Sequence, residues 1–203
     1  MIRKELLIKS YLVDKLSTKQ ISNNLGCSEN KVNYWLQKYS ICKRNVSEAV
    51  YLRLNPEGNP FAFKKPVADQ EWFLYGLGLG LFWGEGNKVN KHSVRLGNTD
   101  PALIKAFLEF LYSIYQIDKT KLRFGLQLFS DTSPKEALDF WQHYLNVPMN
   151  KFHKKVIVTE SKGKGTYGRK SPYGVLTVYF SNSKLRDNII SAIEELRDSI
   201  KPS

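Results

Sequence analysis

The chain has 203 residues, with 31 Lys and Arg against 19 Asp and Glu, for a formal net charge of +12. That length holds one medium domain and a small one, and so large a positive excess points to a polyanionic partner, nucleic acid foremost. Cys27 and Cys42 form no CxxC pair and His92, His143 and His153 are scattered, so zinc spacing and a disulfide framework are both excluded. This cysteine usage, with no apolar leader at the N-terminus, leads us to expect a reducing cytoplasm of bacterial or phage type and no secretion signal.

Residues 3–40 read as three short helices. Leu6, Leu7, Leu12 and Leu16 suit the inner side of the first. Ser17 then opens a capping box with Gln20, and the second helix, over 18–25, buries Ile21 and Leu25 before stopping at Gly26. Ser28 can cap a third helix whose inward stripe is Val32, Trp35, Leu36 and Tyr39. The turn Leu25-Gly26-Cys27-Ser28 between two amphipathic helices resembles that of a helix-turn-helix domain of the resolvase or transposase type. The resemblance implies that the third helix enters a DNA major groove. Its outward set is Glu29, Asn30, Lys31, Asn33, Tyr34, Gln37 and Lys38, in which Asn and Gln suit adenine edges and Lys suits guanine or phosphate. The head is expected over 1–45, followed by a linker over 46–69 with local helix at 46–54 and a turn-forming Asn-Pro-Glu-Gly-Asn-Pro stretch at 55–60.

The stretch Tyr75 to Gly86, YGLGLGLFWGEG, is apolar, rich in glycine and ends on the carboxylate of Glu85. Read as a helix, it sets Gly76, Gly80 and Gly84 on one face. Each interior glycine costs roughly 1 kcal/mol relative to alanine, so something must pack closely on that bare face. A second, similar helix is the natural partner, and the pair would bring two carboxylates together at its end. The apolar run is too short to span a membrane, and no register of its glycines gives the dinucleotide fingerprint G-x-G-x-x-G.

The segment Gly78 to Gly86, GLGLFWGEG, resembles the signature of the LAGLIDADG homing endonucleases. Gly80 matches the first glycine of that motif, Glu85 its terminal acid and Gly86 its closing glycine. Trp83 stands where the first aspartate is usual, and Gly78 where the leading leucine is. The resemblance implies that the motif helix forms a domain or subunit interface and that Glu85 binds a divalent metal at a DNA cleavage centre. It also implies a ligand from the backbone carbonyl of Gly84 and a supporting lysine near the scissile phosphate. Lys151 is the positional choice for that lysine, with Lys155 as alternate.

Three later segments, VRLGNTDPALIKAF, LQLFSDTSPKEALDF and VYFSNSKLRDNII, each end a strand-like run on a capping residue and then open a helix. This pattern predicts an α+β domain over 70–203, with helices on one face of an antiparallel sheet, as in the resembled family. Alternation along 121–129 buries Leu122, Phe124, Leu126 and Leu128 and shows Lys121, Arg123, Gly125 and Gln127. By the same rule Arg95, Thr177 and Tyr179 face outward, and Lys155 joins them, as a DNA-reading β-surface would need. The loop carrying Lys162, Lys164, Arg169 and Lys170 suits phosphate clamping. It lacks the Lys directly after the second glycine that a P-loop requires.

The sequence therefore leads us to expect a homodimeric endonuclease that cleaves double-stranded DNA using Mg2+ or Mn2+, with no small-molecule cofactor and no membrane association. Phosphodiester hydrolysis needs two copies of Glu85, because one chain carries one motif. The competing expectation is a transcriptional regulator that keeps the fold and does not cut.

Overall fold

The structure, a computed structural model, describes residues 1–160 and 171–200. The chain divides into two compact units, residues 1–59 and 60–203.

The first unit opens with α1 (Lys4–Leu7), which runs on as π-helical turns over Ile8–Val13. Then come α2 (Thr18–Asn24), α3 (Glu29–Lys38) and α4 (Val46–Leu54). The Ser17–Gln20 capping box is formed in both directions, Gln20 N donating to Ser17 Oγ at 3.1 Å and Ser17 N to Gln20 Oε1 at 2.9 Å. Gly26 takes a positive φ of 60° in the turn between α2 and α3, a conformation that costs glycine little. The core is Ile2, Leu7, Tyr11, Ile21, Val32, Leu36 and Ile41, with Leu16, Cys27, Trp35 and Tyr39 packed against it.

Two leucines expected inside the first helix, Leu6 and Leu12, are exposed. The buried line runs Leu7 to Tyr11, and Leu6 and Leu12 each lie one residue, or about 100° of helix rotation, off it. Tyr11 takes the inner place because its ring is apolar and its hydroxyl accepts from Arg44 N at 2.9 Å. Leu25, expected buried, is exposed just past the end of α2. The expected linker is divided: α4 belongs to the first unit, while Pro60 to Lys64 is tied into the second. There Asp118 N donates to Pro60 O, Ala62 N to Tyr115 O and Lys64 N to Ile114 O.

The second unit is α+β. It comprises α5 (Asp69–Glu85), β1 (Val94–Asn98), α6 (Pro101–Ser113), β2 (Leu122–Phe129), α7 (Pro134–Leu145), β3 (Ile157–Thr159), β4 (Val175–Phe180) and α8 (Ser183–Ser199). The sheet order is β1-β4-β2-β3. The β1–β4 and β4–β2 pairs are antiparallel, but β3 runs parallel to β2, so the sheet is mixed rather than wholly antiparallel as expected. The chain reaches β3 from β2 through α7, and a crossover over a helix returns a strand parallel to the one it left.

The three strand-to-helix transitions are capped as their sequences require. Asp100 Oδ1 accepts from Ala102 N, Ser133 Oγ from Glu136 N and Asn182 Oδ1 from Leu185 N, and Pro101 and Pro134 take first helical positions. Alternation along the strands sends Val94, Leu96, Leu122, Phe124, Leu126, Leu128, Leu176, Val178 and Phe180 into one core with residues of α5, α6, α7 and α8. The helices thus cover one face of the sheet.

The motif helix α5 is seated by Gly78. A Cβ there would lie 2.0 Å from Phe110 Cγ, so the bare backbone accepts the buried Phe110 ring of α6. At Gly76, Gly80 and Gly84 an added Cβ would meet nothing within 4 Å. These two environments give opposite expectations for one substitution. Gly78→Ala must displace a buried ring and should destabilise by about 1–3 kcal/mol. Gly80→Ala should stabilise the dilute chain by up to about 1 kcal/mol through helix propensity. Urea midpoints of the two variants check this, and equal shifts would contradict it.

Candidate nucleic-acid interface and the end of the motif helix

The sheet face that bears no helix carries the polar residues of the alternating strands. The β-ladder sets Arg95, Tyr179 and Arg123 in one row across β1, β4 and β2. The Arg95 guanidinium lies 5.2 Å from the Tyr179 ring centroid and its Nε donates to Ser93 Oγ at 2.7 Å. Arg123 Nη1 donates to Thr120 O and Leu122 O. His153, missed by sequence reasoning, stands edge-on to Tyr179 at 5.3 Å, and its backbone N donates to Phe124 O. It was missed because its place depends on a long-range bridge between Phe152 and Phe124.

The next row is Gly97, Thr177 and Gly125. A Cβ at Gly125 would lie 2.8 Å from Tyr179 Cε2, and one at Gly97 would lie 2.8 Å from Thr177 Oγ1. The two glycines thus leave room for the side chains of β4 to lean outward along the face. Farther on, Gln127 Nε2 donates to Thr159 Oγ1 at 3.2 Å, and Phe129 and Ile157 make this end apolar. The face is therefore cationic and aromatic at one end and apolar at the other.

Lys121, expected on this face, lies instead in a 3-10 turn over Lys119–Lys121 that precedes β2. The strand begins at Leu122, so Lys121 falls outside the alternation. Lys155 is exposed in the loop before β3, not on a strand. Lys162, Lys164, Arg169 and Lys170 lie outside the described residues.

In the first unit, Asn30, Lys31, Tyr34, Gln37 and Lys38 of α3 are exposed and Asn33 is half-buried. Lys38 lies over Trp35, its Nζ 4.8 Å from the ring centroid. Glu29, expected to face outward, turns back instead, its Oε1 accepting from Thr18 Oγ1 at the start of α2. Arg44 also escaped sequence reasoning: its guanidinium lies 4.1 Å from the Tyr11 centroid and donates to the carbonyls of Lys15 and Leu16.

The outer face of α5 carries Gly76, Gly80 and Gly84, flanked by exposed Trp72, Phe73, Leu77 and Trp83, with Phe73 70% exposed. Glu85 is exposed at the last turn, five residues and about 140° of rotation beyond Gly80, so it projects from the helix end rather than from the stripe. Gly86 bridges to Leu96 and Asn87 N donates to Arg95 O at 2.8 Å, which lays the helix end beside the cationic end of the open face.

Lys151 is not at that end. Gly86, Leu96, Val178, Phe124 and Phe152 form one row across the sheet, separating the neighbours of Glu85 and Lys151 by four strand spacings, about 19 Å. The Lys151 ammonium instead donates to Lys119 O at 3.0 Å and Thr120 O at 2.8 Å. The lysine at the motif end is Lys88, whose Nζ donates to Trp83 O at 2.6 Å and lies 3.5 Å from Gly84 O. Its signal in the sequence was a basic residue just past a helix C-terminus, where it meets unpaired carbonyls.

For a hard divalent cation, one chain offers the Glu85 carboxylate and the Gly84 carbonyl at this point. Both are oxygen donors, as Mg2+ prefers, and such an ion commonly completes its shell with phosphate oxygens and water. Among the described residues no group of three His, Cys, Asp or Glu side chains is placed to hold a metal ion. Also among the described residues, no helix is long and apolar enough to cross a membrane. No family model, curated protein or solved structure matches the chain.

The start of α5 is set by Glu71. Its carboxylate pairs with Lys64 and accepts from Val67 N at 2.9 Å and Ala68 N at 3.4 Å. The Lys64 hydrogen bond and these two backbone donors hold its pKa down, from the ordinary 4.5 to about 2. A depressed carboxylate stabilises the fold above its unfolded pKa, and that stabilisation disappears as pH falls through the folded value. Glu71→Gln should therefore lose stability relative to the native chain at neutral pH, with the difference shrinking between pH 4.5 and about 2. Thermal melts across that window check this, and a difference independent of pH would contradict it.

Proposed function

We propose that the chain is a sequence-specific DNA-binding protein acting as a homodimeric, divalent-metal-dependent endonuclease of the LAGLIDADG type. The observation that carries the reading is α5 itself. It packs one face against the core through Gly78, Leu79 and Phe82, leaves a second apolar face of bare glycines exposed, and ends in an exposed carboxylate beside a cationic sheet face. Two copies joined on the glycine stripe would set the two ends of α5 side by side, each carrying one Glu85 carboxylate, and the paired sheet faces would address a roughly palindromic duplex.

In this reading Arg95, Arg123 and His153 bind and orient the DNA backbone, while Gln127, Thr177 and Tyr179 present hydrogen-bonding groups to the bases. The outward residues of α3 read a neighbouring stretch through the major groove. Glu85 and the Gly84 carbonyl would hold Mg2+ or Mn2+. The chemistry such ions supply when bound is activation of water and stabilisation of the leaving 3′-oxygen.

The second reading, a regulator that binds DNA without cutting it, is favoured by the Lys88 ammonium placed near the Gly84 carbonyl and by Trp83 in the position of the motif's first aspartate. Glu85→Gln separates the two. In the enzyme, this change should reduce metal-dependent nicking by orders of magnitude. Duplex binding in calcium should persist or tighten, because negative charge leaves the interface. Stability should shift by no more than about 0.5 kcal/mol, because Glu85 is exposed. A native protein that binds a selected site tightly yet leaves it intact in magnesium and manganese would favour the regulator.

A further inference from the structure

Two of the leucines that the first unit leaves exposed, Leu6 of α1 and Leu25 just past α2, line one cleft together with Met1. Its volume is about 710 Å3. Arg3, Lys9 and Lys31 converge on the same cleft, from the start of α1, from its π-helical turns and from the first turn of α3. The walls are held in place. Ile2 is buried and its carbonyl accepts from Tyr39 Oη at 2.8 Å, and Cys27 N donates to Ser22 O at 3.0 Å in the turn after Leu25.

The three cations share the cleft with one carboxylate, Glu5. Glu5 and Lys9 are four residues apart, a spacing that pairs opposite charges on a regular α-helix. Yet among the described residues the side chains of Arg3, Glu5, Lys9 and Lys31 make no ion pair and no hydrogen bond. The cleft therefore keeps an unspent positive excess around an apolar floor. A DNA backbone would meet the cations and leave Met1, Leu6 and Leu25 in water. A ligand complementary to both parts has an apolar body and one anionic head, and the volume falls in the range of about 300–1,000 Å3 usual for small-molecule sites.

We propose that this cleft binds a small amphipathic anion, a single-chain carboxylate. Its chain lies over Met1, Leu6 and Leu25, and its carboxylate sits among Arg3, Lys9 and Lys31. Lys31 also belongs to the outward set of α3, so a bound carboxylate neutralises a cation that DNA would use, and the ligand weakens duplex binding. Only this last effect rests on the DNA-binding reading above.

The test uses the full chain and decanoate below its micelle concentration. Equilibrium dialysis should show one saturable site per chain, with decanol and acetate each binding at least about tenfold more weakly. Lys9→Gln should lower decanoate affinity about fivefold and Leu6→Gln about threefold. Lys4→Gln, an exposed change on α1 outside the cleft, should leave it unaltered. In the native chain decanoate should slow alkylation of Cys27, which lines the cleft, and leave that of exposed Cys42 unchanged. Mass spectrometry reads this without any variant. Duplex affinity in EDTA should fall about fivefold when the site is filled.

Decanol binding as tightly as decanoate, or Cys27 reacting equally fast with and without decanoate, would overturn the proposal. Protection of Cys27 by anionic lipid vesicles but not by decanoate would overturn it in favour of a membrane surface. Protection with duplex affinity unchanged would sink the link to DNA and support the site. Protection in a chain that binds no duplex would support the site and sink the DNA-binding reading.

Discussion

The second unit depends on one close approach, the Phe110 ring lying against the bare backbone of Gly78. An apolar helix with aromatic and glycine residues on every side could settle on the sheet in several rotations. Gly78 is the glycine against which a buried phenylalanine lies, whereas at Gly76, Gly80 and Gly84 an added Cβ would meet nothing within 4 Å. Phe82 then stacks on Phe107 at 6.0 Å, and Tyr75 reaches Phe110 from the turn above. With that face committed to α6, the other glycines are turned outward and Glu85 is left at the helix end.

Much of the fold was legible because it rests on local chemistry. Caps at Ser17, Ser28, Asp100, Ser133 and Asn182 are short-range hydrogen bonds, and period-two alternation in β1, β2 and β4 reports burial directly. What escaped depends on distant partners. β3 is three exposed residues whose direction is set by the α7 crossover, so nothing in Ile157–Thr159 marks it as parallel. Lys88 follows Glu85 by three residues and was within reach of sequence reasoning, whereas the distance of Lys151, about 19 Å away, is set by the ladder across the sheet. Leu6 and Leu12 were misplaced because more leucines were available than inner positions, and Tyr11 had a backbone donor waiting at Arg44.

The charges are arranged rather than merely numerous. Arg95 and Arg123 flank Tyr179 at one end of the open face, beside the His153 ring, and the loop from Glu85 to Lys88 runs along the adjacent edge of β1. Phe129 and Ile157 leave the opposite end apolar. A uniformly basic surface would bind any polyanion, whereas in the proposed reading this gradient would give a bound duplex a preferred placement along the strands.

The proposed function requires the outward glycine stripe of α5 to be covered by the same stripe of a second copy. Phe73 at 70% exposure and Trp72 at 48% flank the stripe. Small residues there allow the close crossing that such pairs use. Sedimentation equilibrium of the native chain and of Gly80→Leu tests this most directly. The account predicts a native dimer and a folded Gly80→Leu monomer, because the added side chain projects into open space within one chain and into the partner within two. A native chain that stays monomeric at all concentrations, or a Gly80→Leu variant that dimerises as well as the native, would contradict it.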